Sequence, residues 1–208
     1  MVIYLVLVKI VDQRSTTMNI LHLDSSITGD NSASRVISAA VVRSLSGANP
    51  AARVTYRDLV ADPLGHLTLA ELGSPAARAE LDAFQRADVI VIGAGMYNLS
   101  LPTQLKAWID RIMVAGETFR YTETGPVGLA GGKRVIVALA RGGIYSEGSP
   151  ARAVEHAERY LRDVLAFIGI ADPEFIIAEG IAMGEEARNA ALGSAVDQAR
   201  ALNALVAG

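Results

Sequence analysis

Two uninterrupted apolar runs, Val89 to Ile92 and Val135 to Leu139, constrain this chain more than any other feature. They are too short for buried helices, and they lack the apolar-polar alternation of a strand with one wet face. Strands covered on both faces read this way, which requires helices on both sides of a mostly parallel sheet. Three further short runs fit the same reading, so the strand candidates are Asn19 to Leu23, Arg53 to Arg57, Val89 to Ala94, Arg134 to Ala140 and Glu174 to Ala178. Stretches of helical period lie between them. Val36, Ile37, Ala40, Val41 and Leu45 form one face, Leu105, Trp108, Ile109, Ile112 and Met113 a second, and Val154, Ala157, Leu161, Leu165 and Ile168 a third. Ser74-Pro75, Ser149-Pro150 and the Ser100 to Pro102 cluster are helix-start signals, and Gly169 is a stop. The prediction is an α/β fold: one doubly wound domain around a five-stranded parallel sheet.

The strand runs begin properly only after Met18. Met1 to Ile10 is apolar, yet it has no preceding positive region and is too short to cross a bilayer. Residues 1–17 are therefore expected to be an N-terminal extension or a misassigned start, with an extra edge strand as the rival, and residues 18–208 the folded domain. The net charge of −3, without a basic block, leaves no footprint for nucleic acid. There is no cysteine, which removes thiolate chemistry and is compatible with a reducing cytosol, so a cytoplasmic protein is expected. His22, His66 and His156 stand in different elements without ligand spacing, so no metal is expected, and His22 reads as a satisfied core residue. No G-x-S-x-G elbow follows a strand.

In a doubly wound sheet, ligands bind beyond the carboxyl ends of the strands. After the first strand comes Asp24 to Ser34, dense in hydroxyls and free of lysine, which disfavours a Walker A loop. Its hydroxyls and the opening of a helix near Ser32 suit a monophosphate, although a simple cap and turn would look the same. After the third strand, Gly93-Ala94-Gly95-Met96-Tyr97-Asn98 imitates a dinucleotide fingerprint but has Asn98 in place of the third glycine, and the next helix cannot open before Ser100. Asn98 offers a bidentate amide to a heterocycle. After the fourth strand, Gly142-Gly143 lets a planar ligand approach the backbone, and Gly116 to Gly132, with Phe119 and Tyr121 around Arg120, reads as a lid or binding wall. A phosphate-bearing planar cofactor without an obvious acid-base pair fits these segments, and flavin mononucleotide is such a group.

Met96 to Leu99, Leu101 to Lys106, Thr118 to Thr122 and Ala140 to Gly143 together resemble the bacterial FMN-dependent NADH:azoreductases, also described as NADH:quinone oxidoreductases. The resemblance runs from about Met18 to the C-terminus. It implies a flavodoxin-like fold, a homodimer with FMN near the interface, and ping-pong transfer of two electrons from NADH to quinones or azo compounds. By position, Ser26, Ser32, Ala33 and Ser34 would hold the phosphate and ribityl end. Met96, Tyr97, Asn98 and Leu99 would contact the ring and ribityl chain, and Ala140, Arg141, Gly142 and Gly143 the ring edge. Phe119, Tyr121 and Phe167 resemble the aromatics of the substrate pocket, some of them contributed by the partner subunit. Leu99 and Ala140 stand where relatives often carry phenylalanine and serine, and losing a serine hydrogen bond would cost on the order of 1 kcal/mol. A flavodoxin-type electron carrier is the rival, but such carriers are strongly acidic and this chain is not.

Overall fold

The computed structural model describes residues 17–202, so the expected N-terminal extension lies, except for Thr17, outside the described residues. Five strands, β1 (Asn19–Asp24), β2 (Arg53–Asp58), β3 (Val89–Gly95), β6 (Arg134–Ala140) and β7 (Glu174–Ala178), pair in parallel in the order β2-β1-β3-β6-β7. Each begins at its predicted residue and ends at or one residue beyond the predicted end.

The pleat sorts the apolar residues of each strand onto two faces, because successive side chains point to opposite sides. Ile20, Val89, Val91, Ile136, Ala138 and Ile176 pack against α1 (Ala33–Ala48) and α5 (Glu185–Ala201). Leu21, Leu23, Ile90, Ile92, Val135, Val137 and Leu139 pack on the other face, with α2 (Pro75–Arg86), α3 (Thr103–Ile112) and α4 (Ala157–Phe167). Both sides of β3 and β6 are therefore dry, as their unbroken apolar runs require. Helix α1 leaves β1 on one face and α3 leaves β3 on the other, so a crevice opens between the carboxyl ends of these neighbouring strands.

Four expectations are corrected. Gly116 to Gly132 is not all loop: β4 (Phe119–Thr122) and β5 (Gly125–Gly128) pair as an antiparallel hairpin. The hairpin is held by backbone contact, since a Cβ on Gly128 would sit 2.1 Å from the Gly169 nitrogen. Ser149-Pro150 starts a 3-10 turn (Pro150–Val154) and not the long helix, which opens at Ala157, so Val154 is exposed and leaves the third helical face. Pro102 occupies the N-cap position of α3, and the Ser100 backbone instead pairs with Tyr97. Val36 is exposed while Ile37, Ala40, Val41 and Leu45 form the buried face of α1. His22 is buried and bonded to Ser38, as expected of a satisfied core residue.

Candidate functional site

A cavity of about 380 Å³ opens at the switch point, within the range of roughly 300–1,000 Å³ usual for small-molecule sites. Nine of the residues singled out from the sequence line it: Ser26, Ser32, Ala33, Ser34, Met96, Tyr97, Ala140, Arg141 and Gly142. A second cavity, about 310 Å³ between α2 and α3, contains none of them.

One end of the cavity is built for an anion. Ser32 caps α1, its hydroxyl accepting from the Arg35 N–H at 3.2 Å and lying 3.1 Å from the Ser34 hydroxyl. The Ala33 and Ser34 amides belong to the first helical turn, where N–H groups have no intrahelical acceptor, and the helix dipole adds partial positive charge. The Ser26 hydroxyl lies 3.0 Å from that of Thr28 and 2.8 Å from that of Tyr97, which joins the loop after β1 to the loop after β3.

A partly buried network fixes the loop after β1. Arg35 donates to both carboxylate oxygens of Asp58, at 2.7 and 2.8 Å, and to the Ser26 carbonyl at 3.0 Å. Behind it, Asp24 is buried and accepts from Ser38 at 2.8 Å and Tyr56 at 3.1 Å. Hydrogen bonding by Arg35 holds the Asp58 carboxyl down at about 2, against the opposing effect of burial. Burial first, and then the Asp24 charge and hydrogen bond, push the Tyr56 phenol up to about 12. Gly93 is required here for space, because a Cβ would meet Asp24 Oδ1 at 2.1 Å.

The loop after β3 makes a tight turn. Tyr97 and Ser100 exchange backbone hydrogen bonds of 2.9 and 3.0 Å, and Asn98 and Leu99 between them have φ of 46° and 71°. Two left-handed residues in succession are the mark of a type I′ turn, which ordinarily calls for Asn and Gly. Leucine at the second position is strained, and strain of this kind gathers at functional sites. Asn98 and Leu99 are exposed at the tip and do not line the cavity, which Met96 and Tyr97 do.

At the far wall, Ala140 is tied to the Met96 amide at 2.8 Å, and the carbonyls of Arg141, Gly142 and Gly143 accept from Ile181, Ala182 and Gly180. The Gly142 and Gly143 N–H groups have no acceptor among the described residues. The Arg141 side chain turns away from the cavity. It is buried against Glu158 at 2.6 Å, Glu179 at 2.9 Å and Glu155 at 3.4 Å, so only its backbone is available to a ligand. Burial pushes the Glu158 carboxyl up, but hydrogen bonds from Arg141 and Arg162 outweigh it and hold the group below its usual range.

Phe119, Tyr121 and Phe167 form a cluster of their own, with Phe119 at 5.5 Å from Tyr121 and 4.8 Å from Phe167 between ring centroids. None of the three lines the cavity, and Tyr121 is 74% exposed beside a buried Phe119. Thr28, Asn31 and Gly95 also line it and fall within the segments singled out, whereas sequence reasoning missed three lining positions altogether: Ile181, Ala182 and Arg188, from the β7–α5 connection and the start of α5. That connection also follows the carboxyl end of a strand, so the rule used for the other segments applies to it equally. Among the described residues there is no cluster of three or more potential metal ligands and no helix long and apolar enough to cross a membrane.

Residues 18–202 match the family described as having a flavodoxin-like fold. An FMN-dependent NADH:quinone oxidoreductase of Methylorubrum extorquens is 54% identical over 202 residues, covering 90% of this chain and 100% of the relative. One from Xanthomonas campestris pv. campestris is 52% identical over 202 residues, covering 89% and 99%. Among solved structures, an azoreductase from Bacillus anthracis str. Sterne superposes with a TM-score of 0.79 at 29% identity, over 88% of this chain and 99% of that one. An FMN-dependent NADH-azoreductase from Bacillus anthracis str. Ames Ancestor, in complex with FMN, gives 0.82 at 25% identity, over 92% and 100%. With these matches spanning nearly all of the described residues, the chain belongs to the FMN-dependent NADH:quinone oxidoreductase family of flavodoxin-like fold.

Proposed function

We propose that this chain is an FMN-dependent oxidoreductase that passes two electrons from NADH to quinones and cleaves aromatic azo compounds to amines at the same site. The carrying observation is one cavity that combines hydroxyls and first-turn amides at one end with the free Gly142 amide at the other, Gly143 following just outside the lining. This donor set matches a phosphate joined to a planar ring, and neither end needs a side-chain acid or base. The chemistry that bound FMN supplies is hydride uptake from NADH and delivery of two electrons to the acceptor.

The residues of the chain bind and polarise. Ser26, Ser32, Ala33 and Ser34 hold the phosphate and ribityl end, with Tyr97 bracing Ser26. Met96 and Tyr97 form the platform beside the ring, with Asn98 and Leu99 at the exposed tip of the turn that carries them, and Ala140 to Gly142 lie along the ring edge, with Gly143 next to them. The Gly142 amide, with that of Gly143 beside it, would stabilise negative charge on the edge of a bound ring, and being fixed beforehand these donors would need no reorganisation. Ala140 brings no hydroxyl to that edge.

The acceptor takes the place that the nicotinamide vacates, which is a ping-pong scheme. A homodimer is part of this reading. Tyr121 and Leu99, exposed at 74% and 39%, have the character of groups that complete a pocket with a second subunit, with Phe119 and Phe167 behind Tyr121. NADH is an intracellular reductant, which supports a cytoplasmic enzyme.

Steady-state rates with NADH and a quinone varied together test the scheme. Parallel double-reciprocal lines are expected, and lines that intersect contradict alternation at one site. Asn98→Ala and Gly143→Pro are expected to lower flavin content or turnover, and undiminished values in both refute the site assignment.

A further inference from the structure

Two guanidinium groups are found among the residues lining the cavity, and they are differently committed. Arg141 is buried in a carboxylate cluster behind the wall. Arg188 stands in the first turn of α5 and pairs with no carboxylate among the described residues. Its Nη2 donates to the Asn31 carbonyl at 2.6 Å, which brings the guanidinium to the residue immediately before Ser32, the cap of α1. The third nearby arginine, Arg35, spends both terminal nitrogens on Asp58 and the Ser26 carbonyl.

A phosphomonoester carries a charge of roughly −1.5 to −2 near neutral pH. The hydroxyls of Ser26, Thr28, Ser32 and Ser34 are neutral, and the α1 amides offer only partial charge. Arg188 therefore supplies the full positive charge that this end of the cavity otherwise lacks. Only one of its N–H groups is committed to Asn31, and a guanidinium presents five in a planar fork suited to phosphate oxygens. A cation in the first turn of a helix lies at the wrong end of the dipole, so its position there is not explained by stabilising α5.

We propose that Arg188 is a phosphate ligand of the flavin site, reaching over from α5 so that the phosphate is held between the start of α1 and this guanidinium. The residue then acts as a specificity determinant, favouring a phosphorylated flavin over one that ends in a ribityl hydroxyl. This inference rests on the flavin-binding reading above.

The experiment measures dissociation constants of FMN and of riboflavin, by quenching of flavin fluorescence, for the apoprotein of the wild type and of Arg188→Ala, Arg188→Gln and Arg188→Lys. Arg188→Gln keeps a donor for Asn31 without the charge, and Arg188→Lys keeps the charge without the fork. Charge-assisted bonds of this kind predict FMN binding weakened ~10- to 100-fold in the Ala and Gln variants, less in Lys, and riboflavin changed by no more than about twofold. If the two flavins weaken together, or if Arg188→Gln binds FMN like the wild type, the residue merely ties α5 to the Asn31 loop and the proposal is overturned. If the wild-type apoprotein binds neither flavin, the flavin reading itself fails and the proposal falls with it.

Discussion

Replacing Asp58 by asparagine tests whether the Arg35 pair holds up the loop after β1. Asparagine keeps an Oδ1 acceptor for the Val60 and Ala61 amides, which bond to Asp58 Oδ1 at 2.9 and 3.2 Å, so the change is confined to the Arg35 pair, which loses the negative charge and the Oδ2 acceptor of Arg35 Nη1. Arg35 draws the Asp58 carboxyl down to about 2. Against an ordinary aspartate near 3.9, that shift is linked to roughly 2.5 kcal/mol of folding stability at neutral pH. The Asp58 side chain is 21% exposed, so solvent screening reduces the figure to about 1–2 kcal/mol. Because the folded-state value is depressed, the contribution is complete above the unfolded value near 4 and disappears as pH falls through about 2. Urea denaturation of the apoprotein at a series of pH values is the assay. The gap between wild type and Asp58→Asn is expected to be about 1–2 kcal/mol at pH 7 and roughly half of that at pH 3. A gap that stays constant from pH 7 to pH 3 refutes the ion-pair account. The same variant is expected to bind FMN more weakly, since Arg35 also anchors the Ser26 carbonyl.

Arg141→Met leaves Glu179 without a cationic partner and Glu155 and Glu158 with only Arg152 and Arg162, and breaking a buried ion network in this way costs about 3–5 kcal/mol, measurable as a lowered urea midpoint. Gly128→Ala drives a Cβ to 2.1 Å from the Gly169 backbone nitrogen, where no side chain can yield, so a loss beyond about 3 kcal/mol or failure to fold is expected, and a wild-type melting temperature would show that the hairpin docks otherwise. Leu99→Gly relieves the strain of φ 71° at the tip of the turn. The apoprotein is expected to lose none of the ~1 kcal/mol that an exposed position normally loses on substitution by glycine, as thermal unfolding can check.

The elements that announce themselves locally were legible in the amino-acid order. Val89 to Ile92 and Val135 to Leu139 could only be strands covered on both faces, and the Ser74 and Ser32 caps mark their helix starts correctly, each accepting from the N–H three residues on. The β4–β5 hairpin was not legible. Phe119 to Thr122 alternates over only four residues, and Gly125 to Gly128 has almost no side chain to read, its place being decided by backbone contact with Gly169. Ser149-Pro150 misled for a different reason. The local signal of a helix start was genuine, but Glu155 accepts from the Ala157 and Glu158 amides at 2.9 Å and restarts the chain there. Helix α5 escaped notice because it presents small residues to the sheet, chiefly Ala195 and Ala199, and with it Arg188 escaped notice too. Most of the cavity lining could be found from position after strands, since in this architecture strand ends and ligand site coincide. The aromatic group Phe119, Tyr121 and Phe167 could not be placed that way, because its setting depends on the hairpin.

The central claim is that this cavity holds a flavin which NADH reduces and a quinone reoxidises. The direct test is the visible spectrum of purified protein, supplied with FMN, freed of excess, and followed anaerobically through addition of NADH and then of a quinone. The account predicts a yellow protein that bleaches with NADH and regains its colour with the quinone. A protein that retains no flavin contradicts the site, and one that retains flavin but forms a stable blue semiquinone without oxidising NADH contradicts the enzymatic reading in favour of an electron carrier.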